Sequence, residues 1–182
     1  MSSASEKNII EENESEIEDA ESSPASYDIA TYPADFTLWG LYEKWKEREI
    51  IIPPFQRRFV WTQAQASRLI ESFLLGLPVP GIFLYTDKKG NFLVIDGQQR
   101  LKSIFCFFEG FFGEEDNTKR QVFRLIGIDK DSQWYDKTFE DLKLQDERSA
   151  KCLSNAVLRA FVVKQLNPKD DTSIVPLFER LN

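Results

Sequence analysis

The sharpest chemical feature of the chain is an apolar run that ends in an acidic residue and a glycine. It reads Phe-Leu-Val-Ile-Asp-Gly-Gln-Gln-Arg over residues 92–100. The pattern predicts a strand that turns at Gly97 into a helix N-terminus, where unpaired backbone N–H groups and the helix dipole attract anions. Gly97 would let a ligand approach the backbone closely, and Arg100 offers the fork of donors that phosphate oxygens accept. The run is therefore a candidate phosphate-binding site.

The polar residues around this turn could make further contacts with a bound ligand. Asp96 is a candidate ligand for a hydrated Mg²⁺ ion or for a ribose hydroxyl. Gln98 and Gln99 are candidates for holding a phosphate oxygen, a water or a base edge. The alternative is purely structural, with Asp96 as the helix N-cap and Gly97 only making the turn. Both interpretations stay open at the level of the sequence.

A second candidate anion site lies earlier in the chain. Residues 53–61 read Pro-Pro-Phe-Gln-Arg-Arg-Phe-Val-Trp, a stiff, proline-led loop with adjacent cations and flanking aromatics. Such a loop could contact an anion or a base, with Phe55 or Trp61 stacking on the base. The competing interpretation is a pair of surface arginines next to core aromatics.

The last residues of the chain form a third feature. They read Pro-Leu-Phe-Glu-Arg-Leu-Asn over residues 176–182 and combine a helical apolar pair with Arg180 and Asn182. An ordinary amphipathic helix would explain them equally. Because no cap and no trailing polar residues follow, we expect the chain to be the N-terminal part of a longer protein.

Periodicity predicts the elements that must position these residues. The predicted helices cover residues 37–48, 62–76 and 98–109, with further helices beginning at 139–141 and over 173–181. The predicted strands cover residues 50–52, 82–86, 92–95, 123–128 and 157–165, with a hairpin turn at 87–90. Hairpins in place of regular strand–helix–strand units favour an α+β fold over a doubly wound sheet.

Charge is distributed unevenly along the chain. The 182 residues carry a net charge of -7, but residues 1–30 alone hold nine acids and one lysine, whereas residues 31–182 hold 21 acids and 22 bases. The first segment lacks Phe and Trp, so we expect a disordered acidic tail before one folded domain over residues 31–182. The tail is either a solubilising leader or an arm that docks a partner. The near-neutral domain does not exclude a polyanionic ligand.

Composition excludes several classes of function. With no histidine, the chain can hold no Ser-His-Asp or Cys-His nucleophile system, no HNH nuclease centre and no imidazole metal site. Its two cysteines cannot form a disulfide framework, which predicts a reducing, cytoplasmic setting. No apolar run approaches the roughly 20 residues that span a bilayer, and the acidic N-terminus is unlike a signal peptide, so we expect no membrane partner.

Four of these segments, in this order, resemble one known family. The matching runs are Ile52–Trp61, Ile70–Ser72 with Gly76–Pro80, Val94–Leu101 and Phe178–Asn182. They resemble the bacterial domain-of-unknown-function family two-six-two, the N-terminal domain of GmrSD-type modification-dependent restriction systems and of related anti-phage proteins. The resemblance covers about residues 35–182, and Asp-Gly-Gln-Gln-Arg is its most specific part.

The resemblance implies a small α+β domain of the ParB/sulfiredoxin-like fold, with two sequence boxes that face one pocket for a nucleoside triphosphate. Gln56 and Arg57 would carry the first box. Asp96 to Arg100 would carry the second. If the site binds a nucleotide, we expect Mg²⁺ to bridge Asp96 and the phosphate oxygens.

Two further sites follow from the same resemblance. Arg180 and Asn182 match a third run of the family, which normally continues into Thr-Gly-Gly. Ser103 stands where the family often has threonine, and its hydroxyl would contact the nucleotide. Lys102, where the family also has threonine, would add or lose a phosphate contact.

The function implied is hydrolysis of a nucleoside triphosphate to control a DNA-cleaving partner, either a C-terminal domain or a separate subunit. GmrSD-type nuclease domains depend on histidine, so the cutting step is not expected in this chain. Two alternatives stay open: a DNA-binding or ParB-like nuclease module, and a non-catalytic interaction module.

Overall fold

A computed structural model describes residues 29–53, 58–113 and 120–166 of the chain. Within these ranges the strands are β1 (Ile29–Thr37), β2 (Ile50–Ile51), β3 (Ile82–Thr86), β4 (Phe92–Asp96), β5 (Phe111–Phe112), β6 (Gln121–Val122) and β7 (Val157–Gln165). The helices are α1 (Leu38–Lys46), α2 (Gln63–Leu74), α3 (Gln98–Glu109), α4 (Phe139–Gln145) and α5 (Glu147–Asn155). None of the described helices combines the length and the apolar character that crossing a membrane requires. The predicted α+β class is confirmed.

Five strands form one mixed sheet in the order β1-β7-β3-β4-β2. β1 runs antiparallel to β7 and β3 antiparallel to β4, whereas β7 is parallel to β3 and β2 is parallel to β4. A register shift between Phe83 and Leu84 places Asp96 opposite Phe83. The end of β4, where the candidate site begins, therefore lies beside the start of β3. β5 and β6 form a separate two-stranded sheet.

The described helices all pack on one face of the five-stranded sheet, because their buried residues join a single core with alternate strand residues such as Leu84 and Val94. α3 contacts α1, α2 and α4 in this layer. Its Phe105 is 1% exposed and stacks on Trp45 of α1, with ring centroids 4.9 Å apart. The helix that carries the candidate site is thus fixed by the main core.

The opposite face of the sheet, which we call the outer face, carries a second apolar cluster. Tyr85, Ile95 and Val163 are buried there, and Phe83 and Leu93 pack against them. In the described ranges, every member of this cluster belongs to a strand.

Most of the predicted elements are confirmed to within two residues of their bounds, and β3, α3 and β7 match at both ends. The strand predicted over residues 123–128 is wrong. Phe123 and Leu125 are buried in alternation, as they would be in a strand. However, the N–H of Leu125 donates to the Lys137 carbonyl at 2.9 Å and its carbonyl accepts from the N–H of Asp136 at 2.8 Å, in a loop without a ladder.

The sequence did not predict β1, α5 or the small sheet of β5 and β6. β1 begins at Ile29, so the disordered tail predicted over residues 1–30 is wrong for its last two residues. The rest of that segment and the helix predicted over 173–181 lie outside the described residues.

We expect Phe105→Ala to lower the free energy of unfolding by about 3–5 kcal/mol, because it removes a buried ring and leaves a cavity. Leu144→Ala is the matched control, since Leu144 is 75% exposed. Its effect should stay within about 0.5 kcal/mol. Urea unfolding followed by tryptophan fluorescence measures both, and similar losses in the two variants would contradict this account of the core.

Candidate functional site

The turn between β4 and α3 is built around Gly97. Its φ of +96° lies in the left-handed region, and a Cβ atom there would lie 2.3 Å from Cγ2 of Ile82. Both the conformation and the contact require glycine. The close approach is thus made to a side chain of β3. Gly97 itself is the N-cap residue and no side chain caps α3, so Asp96 does not have the capping role that the structural interpretation gave it.

Asp96 and Arg100 form an ion pair across the first turn of α3. Nη2 of Arg100 donates to Oδ2 of Asp96 at 2.9 Å and to the carbonyl of Gly81 at 3.0 Å. The Arg100 side chain is 19% exposed and that of Asp96 is 39% exposed. The Nε–H of Arg100 is buried and meets no acceptor in the described part of the chain. The guanidinium is therefore held in place by Nη2, while its buried Nε–H has no acceptor among the described residues.

Gln99 ties α3 to residues 58–61. Its Oε1 accepts hydrogen bonds from the N–H groups of Val60 at 3.0 Å and Trp61 at 3.3 Å. Its Nε2 donates to the carbonyl of Arg58 at 3.0 Å. One side-chain amide thus satisfies three backbone groups of a loop that is distant in sequence. Both bonds to Oε1 would have to be given up for this oxygen to accept from a water or a base edge, whereas Nε2 has a second N–H beyond the one that holds Arg58.

Aromatic side chains of the same loop pack inward. The ring of Phe59 lies 5.5 Å from that of Phe112 between centroids, and Trp61 packs against the main core. Trp61 is partly buried, so part of its ring is already in contact with the core. Phe55, the other predicted stacking residue, lies outside the described residues.

The remaining predicted residues of α3 are buried. Gln98, its first residue, is 7% exposed. Ser103 is 0% exposed, and its hydroxyl donates to the carbonyl of Gln99 at 2.7 Å. The resemblance implied a nucleotide contact for Ser103, but that contact would require the side chain to leave the core and give up this hydrogen bond.

Four predicted site residues lie outside the described residues: Gln56, Arg57, Arg180 and Asn182. The first two directly precede Arg58, whose carbonyl Gln99 holds. The structure therefore places Arg58, the residue that follows the first sequence box, beside the second box. For Arg180 and Asn182 it gives no position.

The fit of Mg²⁺ to this site depends on Asp96. Among the described residues, no group of three or more cysteine, aspartate or glutamate side chains could hold a metal ion. Mg²⁺ in nucleotide sites often binds one or two carboxylates and takes its other ligands from phosphates and water. Asp96 fits Mg²⁺ as one such carboxylate, for an ion that arrives with a nucleotide.

Two contributions to the site were not predicted. One is the Gly81 carbonyl, which accepts from Arg100; a Cβ atom at Gly81 would lie 2.9 Å from the carbonyl of Arg159. The other is the backbone of residues 58–61. The position of Gly81, between Pro80 and a predicted strand, could have pointed to the first contribution. The second could not be predicted, because residue types do not show which backbone groups a side chain will bind.

The comparisons with known proteins agree with the motifs. The family model of the GmrSD restriction endonuclease N-terminal domain matches residues 38–182. The chain belongs to this family. An uncharacterised protein of Methanocaldococcus jannaschii is 31% identical over 119 residues, a match that covers 51% of this chain and 20% of that protein. The matched part thus spans about a fifth of the archaeal relative. No solved structure matches the chain.

In this GmrSD N-terminal domain, Gly97→Ala should destabilise the fold more than Gly90→Ala. Both glycines have positive φ, at +96° and +88°, but only the new Cβ at residue 97 would meet other atoms within 4 Å. We expect the left-handed backbone conformation to lower the free energy of unfolding by about 1–2 kcal/mol in either variant. Overpacking against Ile82 should lower it by a further 1–3 kcal/mol, roughly, in Gly97→Ala. Chemical unfolding gives both values. Equal losses would show that the contact with Ile82 relaxes freely.

Gln99→Met should loosen residues 58–61, because it leaves three backbone groups without their partner at a cost of about 1–3 kcal/mol. Trypsin cleavage after Arg58, timed by mass spectrometry under native conditions, measures this opening. Gln133→Met is the control, since Gln133 is an exposed glutamine far along the chain. Unchanged cleavage in Gln99→Met would mean that other contacts suffice to hold the loop.

Proposed function

We propose that this domain binds a nucleoside triphosphate at the N-terminus of α3 and hydrolyses it with Mg²⁺. The observation that carries the proposal is the guanidinium of Arg100, which is largely buried and keeps its Nε–H without an acceptor in the described part of the chain. A buried donor without a partner costs about 1–3 kcal/mol. A phosphate oxygen would remove this cost, and its charge would strengthen the hydrogen bond.

The turn at Gly97 supports the same ligand. No side chain caps α3, so an anion can approach the positive end of the helix dipole without displacing a cap. Asp96, at the same turn, is partly exposed and would hold Mg²⁺ together with the phosphates. Arg100 would then divide its donors between Asp96 and the nucleotide.

The hydrogen bonds from Gln99 to the backbone of residues 58–61 support a second group of ligand contacts at the site. Gln99 holds the Arg58 carbonyl, and Gln56 and Arg57 directly precede Arg58 in the sequence. We propose that Arg57 adds a second cation to the phosphates. Charge that develops on the transferred phosphoryl group would be stabilised by these arginines and by Mg²⁺.

Membership of the GmrSD family supports a role in a restriction or defence protein. With no histidine in the chain, a histidine-dependent nuclease step would belong to a partner domain or subunit. We propose that nucleotide binding and hydrolysis regulate that partner.

Thermal unfolding with a panel of nucleoside triphosphates and Mg²⁺ tests the binding step. A nucleotide present at about 100 times its Kd should stabilise the domain by about 2.7 kcal/mol. Arg100→Ala should lose this stabilisation, compared within the variant with and without nucleotide. Arg148→Ala, at an exposed position of α5, should keep it. No stabilisation of the unaltered chain by any nucleotide would overturn the proposal.

Release of inorganic phosphate tests the hydrolysis step separately. Asp96→Asn should lower the rate on the order of 100-fold, the scale of losing one electrostatic contact to a transition state. Asp131→Asn, which alters an exposed loop carboxylate, should leave the rate unchanged. Nucleotide binding without any phosphate release would reduce the proposal to a nucleotide-regulated interaction module.

A further inference from the structure

The outer face of the sheet is buried although no described helix covers it. Tyr85 is 3% exposed, Ile95 is 1% exposed and Val163 is 3% exposed. Such values belong to a covered sheet face, because the water-facing side of an antiparallel sheet normally carries exposed polar residues. The described members of this cluster all come from strands, and the described helices join the other core.

We propose that residues 173–181 lie across this outer face as a short helix and bury it. Ile174, Leu177, Phe178 and Leu181 recur at the spacing of one helix face. Ser173 supplies an N-cap residue. Pro176 would fall in the first turn, where a missing N–H costs no hydrogen bond.

The register of the sheet sets the direction of this segment. β7 leaves the sheet beside Thr86, whose partner is Lys164. A helix of nine residues rises about 13.5 Å. The four residue steps of β3 from Thr86 back to Ile82 span about 13 Å. A helix that starts beside Lys164 and runs back along β7 would therefore end at the other end of β3.

That end of β3 is the edge of the candidate site. Phe161 pairs with Phe83, and Phe83 lies opposite Asp96. The returning segment would therefore bring Arg180 and Asn182 close to Asp96. A nucleotide contact by these two residues rests on the proposed function, but the packing of the segment on the sheet does not.

The segment before β1 is the competing occupant of the outer face. It also leaves from this sheet, but residues 1–28 carry nine acids and have Ile9, Ile10 and Ile17 as their only large aliphatic residues besides Met1. Of these, only Ile10 and Ile17 share the seven-residue spacing of one helix face, with no apolar residue three or four positions from Ile10 to widen that face. A segment so acidic and so poor in apolar residues buries little surface.

Accessibility of a cysteine on the outer face tests the occupant. The reporter is Val163→Cys in the full chain with Cys152→Ser, which removes the exposed cysteine. Cys106 stays, because it is buried and desolvation raises the pKa of its thiol. Leu177→Asp with Phe178→Asp should speed maleimide labelling of the reporter by at least about tenfold, by opening the face. Ile9→Asp with Ile10→Asp should not.

Three outcomes of this experiment would overturn the proposal. They are faster labelling with the N-terminal pair only, no change with either pair, and a labelling rate that falls as the protein concentration rises. The last would assign the face to a second copy of the chain. Circular dichroism checks that each variant is folded.

Cross-linking tests the direction of residues 173–181 along β7 and does not introduce charged residues into the face. Phe161→Cys, at a position 36% exposed on the outer face, is paired with Glu179→Cys or with Thr172→Cys and treated with a short bismaleimide. The proposed direction predicts several-fold more cross-link with residue 179, since residue 172 would lie roughly 10 Å further along the strand. Equal yields, or more with residue 172, would overturn the arrangement. No nucleotide is added, so this result is independent of the thermal-shift test.

Discussion

The contact between Gly97 and Ile82 sets how α3 leaves β4. A Cβ atom at this glycine would lie 2.3 Å from Cγ2 of Ile82, so the chain turns there only in the absence of a side chain. The helix then starts in direct contact with the sheet and extends into the main core. Because α3 is fixed in this way, Gln99 and Arg100 lie at defined positions, one facing the loop and the other facing the sheet.

These neighbouring side chains link parts of the fold that are far apart in sequence. Gln99 holds the backbone of residues 58–61, and Arg100 holds Asp96 and the Gly81 carbonyl. An anion bound at the first turn of α3 would draw on the donors of Arg100 and so compete with the contact to Asp96. Its effect would reach the start of β3 through Arg100, and the adjoining loop through Gln99. The regulation proposed above would use these two connections.

Much of the fold could be predicted from the sequence because its helices are amphipathic and its central strands are bounded by turn residues. Both ends of α3 agree with the prediction, since its apolar residues recur at helical spacing between two glycines. Phe123 and Leu125 misled the prediction because alternating burial also arises in an irregular loop over a core. In the site, the residue types were informative but their partners were not. Gln99 bonds to the backbone of residues 58–61, whose position depends on the tertiary fold.

The pairing of β1 with β7 joins the two extremes of the described chain, since Ile29 lies opposite Gln165. The sheet can be completed only after nearly all of the domain has left the ribosome, whereas the β3–β4 hairpin can form early. The same pairing makes the segments before β1 and after β7 emerge from one corner of the sheet. The points where the described chain enters β1 and leaves β7 are therefore neighbours in space, although most of the domain separates them in sequence.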